Sequence, residues 1–395
     1  MKPKHLTRVL CIARPAAALA ALLTVSQFGT ISIANEIVTI DRLVSHKSTV
    51  PAVAGKSVDL FVREKVPSAI LNAPGGRAQP GKVALFVHGG FNPATLAFDV
   101  AYRDYSWMTF LARAGYDVFG MDMTGYGQSS RPMMDDPCNL NPRHQEQLVP
   151  RNLKEPCNPS YPFELVSSDS ETADIDRVVD FIRALRGVDK IALLGWSGGG
   201  IRTGTYTARY PEKVDKWIVH ASSNYDRKNP DGPPGALPKP GFPMVMQVRE
   251  VGERQRWLGT VKCQDTIEPG MPELIWKLSV EADPLAANWG PGGLRAPTRT
   301  YWGWNAASAA KIKVPTLIMV GEEDDLIASN RDLHADLGAQ DKTFLAITCA
   351  THFVNWEKQH RVLKRASLEW LEKGTLAGHR QGIFRADSDG NIAPQ

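Results

Sequence analysis

The chain has 395 residues, 46 of them basic and 42 acidic, with a hydrophobic share of 43%. Four of the basic residues, Lys2, Lys4, Arg8 and Arg14, fall in the first 34 positions, which carry no acid, so the remainder balances at 42 to 42. A neutral body of about 360 residues suits one large domain with insertions, and it offers no footing for nucleic acid or an anionic membrane surface as partner.

Residues 1–34 have a basic start, an apolar stretch at 16–25 and the small residues Ser32-Ile33-Ala34 before Asn35, the layout of a cleavable secretory signal. That apolar stretch is about half of the roughly 20 residues a membrane span requires. The expected mature chain is therefore secreted or periplasmic, cut near Ala34. Segments 37–43 and 58–62 alternate polar and apolar residues and are expected as an antiparallel edge. Short apolar runs at 83–87, 117–121, 191–194, 217–220, 316–320 and 344–347 then alternate with helical patterns at 105–114, 171–185, 201–210, 330–337 and 355–371. This rhythm predicts an α/β fold: a mostly parallel, eight-stranded sheet with helices on both faces.

Two segments interrupt the rhythm. Residues 131–168 are polar and rich in Pro and Asn; residues 224–310 open on Pro and Gly clusters and continue with Trp257, Trp276, Trp289, Trp302 and Trp304. Connections of this length are usually functional. The predicted organisation is a core at 35–223 and 311–375, a 131–168 insertion, a cap at 224–310 and a loosely ordered tail at 376–395. In that tail Asp387-Ser388-Asp389-Gly390 resembles the start of a calcium loop but lacks the downstream ligands, and is expected to be a turn.

Of five cysteines, Cys11 belongs to the leader, and an even four in an exported chain suggests disulfides. Cys138 and Cys157 flank the first insertion and are paired on that ground, leaving Cys263 with Cys349, although other connectivities stay open. No Cys/His spacing resembles a zinc site.

The most informative run is Gly195-Trp196-Ser197-Gly198-Gly199, between the apolar run 191–194 and a helical pattern. A serine between glycines at a strand-to-helix turn is pushed out above the sheet. It becomes a nucleophile only if a base takes its proton and an acid orients the base. Strand-end candidates are Gly321-Glu322-Glu323-Asp324-Asp325 for the acid and Thr351-His352-Phe353 for the base, since sites in such sheets form at the carboxyl ends of strands.

Together with Phe86-Val87-His88-Gly89-Gly90-Phe91 and Met121-Asp122-Met123-Thr124-Gly125-Tyr126-Gly127-Gln128, these motifs resemble the α/β-hydrolase superfamily in the family's own order. The resemblance implies Ser197 as nucleophile, Asp324 as orienting acid, His352 as general base, and an oxyanion hole from the amide of Gly198 and that of Gly90 or Phe91. Rivals are Asp325 and Asp226 for the acid, and His88, His220 and His334 for the base. His88 is expected to brace the oxyanion loop, His220 to be a core histidine, and His334, Glu322 and Glu323 to face solvent. Serine at 197 separates the chain from the dehalogenase and epoxide hydrolase relatives, which place aspartate there.

The expected activity is hydrolysis of a carboxylic ester or lactone through an acyl-enzyme. Alternatives are a β-diketone C–C hydrolase, an amide or carbamate hydrolase and, in another class, a non-catalytic ligand-binding protein. No metal, nucleotide or flavin cofactor is implied, and the partner is a small ester-like molecule. Trp196, Trp302 and Trp304, with Phe91, Trp257 and Trp276, suggest an apolar substrate pocket.

Overall fold

The computed structural model describes residues 36–223, 225–233 and 235–395, so the leader segment lies outside the described residues. Ten strands form one sheet: β1 (Ile37–Lys47), β2 (Ser57–Pro67), β3 (Val83–Val87), β4 (Asp117–Met121), β5 (Ile191–Trp196), β6 (Val214–His220), β7 (Thr316–Gly321), β8 (Lys342–Ile347), β9 (Gly382–Ala386) and β10 (Ile392–Pro394). Their order is β1-β2-β4-β3-β5-β6-β7-β8-β9-β10. The pairs from β4 to β9 are parallel, while β1 with β2, β2 with β4 and β9 with β10 are antiparallel.

The central strands are buried on both faces, which is why they read as unbroken apolar runs rather than alternations. On one face Ala84, Phe86, Val118, Leu194 and Leu345 pack against helices α1 (Trp107–Arg113) and α6 (His360–Lys373). On the other, Leu85, Val87, Phe119, Leu193 and Ile318 lie under α2 (Ser168–Arg186), α3 (Gly198–Arg209) and α5 (Ile327–Asp336). The remaining long helix, α4 (Met271–Ala282), belongs to the second interruption. Helix α2 starts on a reciprocal Ser167/Ser170 cap and stops at Gly187, whose φ of 63° suits a left-handed terminator. Among the described residues no helix is long and apolar enough to cross a membrane.

The two interruptions are one structure. Met134, Leu140, Leu148 and Leu165 of the first share a core with Met244, Met246 and Trp289 of the second. Met244–Val248 pairs antiparallel with Gly293–Pro297, and Arg299–Thr300 pairs with Val166–Ser167. The sulfurs of Cys138 and Cys157, and those of Cys263 and Cys349, lie at disulfide-bonding distance, the pairing expected from sequence.

The tail differs from expectation. Residues 382–394 extend the sheet as β9 and β10 instead of lying loose, and Phe384 and Ala386 are buried. Strands of five and three residues are too short to stand out in a polar stretch. The calcium-like run is the hairpin turn between them, with the Asp387 carboxylate accepting from the N–H groups of Asp389 and Asn391.

Candidate functional site

The end of β5 delivers Ser197 into the first turn of α3 with φ 56° and ψ −120°, a conformation that non-glycine residues hold only when the surroundings impose it. Those surroundings are visible: the Ser197 N–H donates to His220 O at 3.0 Å, and its carbonyl accepts from Gly200 and Ser223 N–H groups at 2.9 and 3.1 Å. The loop after β3 crosses directly in front. A methyl group at Gly89 would lie 2.7 Å from Ser197 Cβ and 3.2 Å from its Oγ, so glycine is needed there for close approach.

Arg202, on α3, holds that loop. Its Nη1 donates to the carbonyls of His88 at 2.6 Å and Gly89 at 3.1 Å, while Glu171 on α2 pairs with it at 2.8 Å. His88 adds a second brace: Nδ1–H donates to Gly89 O at 2.7 Å and Nε2 accepts from Met123 N–H at 3.1 Å. Burial, and then the Arg202 charge, hold the His88 pKa well below the ordinary value. With both ring nitrogens engaged, His88 is a brace, not a base.

From the loop after β8, His352 reaches the same side of the sheet, and its Nδ1–H donates to Asp324 Oδ2 at 2.8 Å. Burial pushes the Asp324 carboxyl upward, but the His352 charge and hydrogen bond, with the Leu326 N–H, outweigh it and leave its pKa below the usual value. The rival acids are exposed: Asp325 and Asp226 point to solvent, the latter accepting from Lys228 N–H in a turn. His220 is fully buried, bonds Met319 O at 3.2 Å, and burial lowers its pKa to about 4.

Ser197, His352, Gly89, Gly90 and Phe91 line one cavity of about 160 Å³, with Trp196, Asn92, Ser223, Gln247, Arg256, Arg299 and Phe353 completing its wall. The Trp196 indole donates to His352 O at 3.0 Å, tying the end of β5 to the histidine loop. Glu357 ties that loop to the second interruption, accepting from Thr351 N–H at 2.9 Å and Trp257 Nε1–H at 3.0 Å. Gly198, first residue of α3, also borders the site: a methyl group there would lie 2.9 Å from Arg299 Nη1. The leading N–H groups of a helix have no partner within it and carry its positive end.

Several expectations fail. Trp302 and Trp304 do not line this cavity. Trp304 is fully buried behind α3, edge-on to Trp217 and Tyr225, and Trp302 borders a separate hollow with Asp169, Thr205 and Arg209. Their rings fill the back of the core, where aromatic bulk is most often used. Trp257 and Trp276 line a small neighbouring hollow that shares Asn92, Gln247 and Phe353 with the main cavity. Glu322 and Glu323 are not free in solvent: Glu322 grips Arg385 at 2.7 and 2.8 Å, and Glu323 accepts from the N–H groups of Lys262 and Cys263. His334 is half-buried against Phe344 rather than solvent-facing.

Sequence patterns did not single out Arg202, Glu171, Arg299, Gln247 or Arg256; an arginine set among glycines in the helical pattern after Ser197 was the available signal for the first. Among the described residues the one grouping with metal-like spacing is Cys263, Glu323 and Cys349. Its sulfurs are bonded to each other, which removes the thiolates a metal requires.

Residues 83–359 match the family described as alpha/beta hydrolase fold. A curated relative, bifunctional epoxide hydrolase 2 of Sus scrofa, is 23% identical over 335 residues, covering 74% of this chain and 54% of its own length; the chain thus spans about half of that relative. Two solved structures overlay on the fold, each with a TM-score of 0.50. One is a thermophilic esterase from Thermogutta terrifontis (17% identical, covering 84% of this chain and 98% of that one). The other is a bromoperoxidase from Bacillus anthracis (15%, covering 85% and 100%). By the extent of the match, about seven-tenths of its length, the chain belongs to the alpha/beta hydrolase fold family.

Proposed function

We propose that the protein is a serine hydrolase that cleaves a carboxylic ester or lactone of a small molecule through an acyl-enzyme. The observation that carries this is a serine at φ 56° sharing a cavity with an imidazole that is bonded to a buried carboxylate. His352 Nε2 takes the Ser197 proton as Oγ attacks the carbonyl carbon. The oxyanion is met by the Gly198 amide and that of Gly90 or Phe91. His352 then protonates the leaving alkoxide, and water repeats the attack on the acyl-enzyme, returning the serine. One oxyanion donor contributes about 10²–10³ in rate. Epoxide opening is not carried over from the curated relative, because the nucleophile position here is serine, not aspartate.

Gln247 and Arg256 at the cavity wall come from the second interruption, which supports its role as a cap. The two bonded cysteine pairs suit an oxidising compartment, in keeping with export. Fluorophosphonate labelling and p-nitrophenyl butyrate hydrolysis test the proposal. Wild type is labelled and active, and Ser197→Ala is neither. Asp324→Asn falls about 10²–10⁴-fold in kcat while Asp325→Asn stays within twofold. A folded wild type that neither labels nor cleaves any ester or lactone removes it.

A further inference from the structure

Two buried arginines, Arg202 and Arg295, are fully engaged, whereas Arg299, which lines the cavity, is not. Arg202 pairs with Glu171 and two loop carbonyls. Arg295 pairs with Asp283 at 2.7 Å and also with Asp135. Arg299 is different. Its Nη1 is shut off from solvent and has no hydrogen-bond partner, and among the described residues no carboxylate lies within ion-pairing distance of it. Its guanidinium instead rests over the Tyr301 ring at 5.0 Å and borders the cavity beside Ser197.

The position is specific. Nη1 lies 2.9 Å from where a Gly198 Cβ would be, and Nη2 lies 3.7 Å from the corresponding point at Gly90. The guanidinium therefore sits between the two stretches of backbone that face the attacked carbonyl. Arginine stays charged, and an unpaired buried charge is costly. Arg202 and Arg299 have one carboxylate between them, Glu171, whose Oε1 bonds Arg202 while its Oε2 has no hydrogen-bond partner, so one positive charge is left over on the cavity wall. The cavity of about 160 Å³ is bordered on its other sides by Asn92, Ser223 and Gln247, and the closeness of the guanidinium to Gly198 and Gly90 leaves room for only a few atoms between it and the attacked carbonyl.

Building on the serine hydrolase proposal, we infer that the substrate carries a carboxylate on its acyl portion, within a few bonds of the carbonyl attacked, and that Arg299 binds it. The substrate class is the monoester (or lactone equivalent) of a short dicarboxylic acid. Arg299 acts as a specificity-determining residue: its planar fork suits two-point contact with a carboxylate, and it discriminates against a neutral group of the same shape.

Monomethyl succinate and methyl succinamate test this, since they share their shape and differ in the charge. Wild type should prefer the succinate by at least tenfold in kcat/KM, and Arg299→Met should bring that ratio to about one, with Arg299→Lys in between. Equal turnover of the two esters by wild type overturns the inference. So does an Arg299→Met variant in which both rates fall alike, which makes the guanidinium a general oxyanion donor or structural part. A second arm does not depend on turnover. Calorimetric binding of monomethyl succinate to Ser197→Ala should weaken at least tenfold when Arg299→Met is added, with the fold checked by circular dichroism; unchanged affinity overturns the inference. If wild type fails to label or cleave while the binding difference holds, the hydrolase proposal falls and the anion site stands.

Discussion

The loop after β3 approaches Ser197 so closely that one methyl group should separate them. In Gly89→Ala the new Cβ would start 2.7 Å from Ser197 Cβ, 3.1 Å from Trp196 O and 3.2 Å from Ser197 Oγ. Carbon atoms rest at about 3.5–4.0 Å, so relief requires about 1 Å of separation. Neither side yields readily, because Arg202 and His88 fasten the loop's carbonyls and the Ser197 N–H is fastened to His220. Misplacement by about 1 Å costs on the order of 10²-fold in rate, and overpacking about 1–3 kcal/mol in stability. The expected result is a kcat for p-nitrophenyl butyrate lower by about two orders, a modest drop in melting temperature, and little change in KM. Gly90→Ala supplies the comparison, because its Cβ meets nothing nearer than Arg299 Nη2 at 3.7 Å, an ordinary contact. A Gly89→Ala enzyme within threefold of wild type, or a Gly90→Ala enzyme just as impaired, would refute the claim that close approach of this loop builds the site.

Glu357 should impose a pH slope on stability. Burial raises its pKa from 4.5 to about 7, against the bonds from Thr351 and Trp257. The folded pKa lies above the unfolded one, so this group's stabilisation is present below about pH 4.5 and lost as pH climbs through 7, a change of about 3 kcal/mol at most. Urea midpoints of wild type and Glu357→Gln across pH 4.5–8 should show the mutant with the flatter profile; parallel profiles would contradict the burial argument. The Cys263–Cys349 bridge spans 86 residues, for which loop entropy gives about 4–5 kcal/mol. Changing both to serine should lower the melting temperature by on the order of 10 °C. Activity should fall as well, since Cys349 lies three residues before His352. A double mutant as stable as wild type would show the bridge to be dispensable.

The parts of the fold legible in the sequence are those where local chemistry dictates shape. Apolar runs of four or five residues bounded by turn signals read as doubly buried strands, and the glycines flanking Ser197 mark a tight turn. Asp324 and His352 were readable because each follows a strand. The unread parts depend on what folding brings together. Arg299 sits in the polar run Pro297-Thr298-Arg299-Thr300, where nothing periodic marks it, and its meaning comes only from Gly198 and Gly90, far off in the chain. Trp302 and Trp304 looked like pocket residues because the segment holding them is rich in aromatics. Just before them, Arg299–Thr300 pairs with Val166–Ser167, a contact between distant segments that no local pattern marks.

The Arg202–Glu171 pair shows why such distant groupings are kept. A buried ion pair is rarely a net source of stability, because desolvation offsets the attraction. This one has a geometric use: the guanidinium fork spans two successive carbonyls of the loop that faces Ser197, and Glu171 fixes the fork from behind. An apolar side chain could fill the volume but would offer no donor to the two carbonyl oxygens. In a trans peptide the N–H points opposite to the carbonyl, so on the proposed mechanism fastening these oxygens toward α3 suits the adjacent amides to meet the oxyanion. Arg299 has no protein carboxylate while Arg202 has one, and that difference gives the two charges separate roles. The Arg202 charge is neutralised and shapes backbone; the Arg299 charge stays open for a ligand.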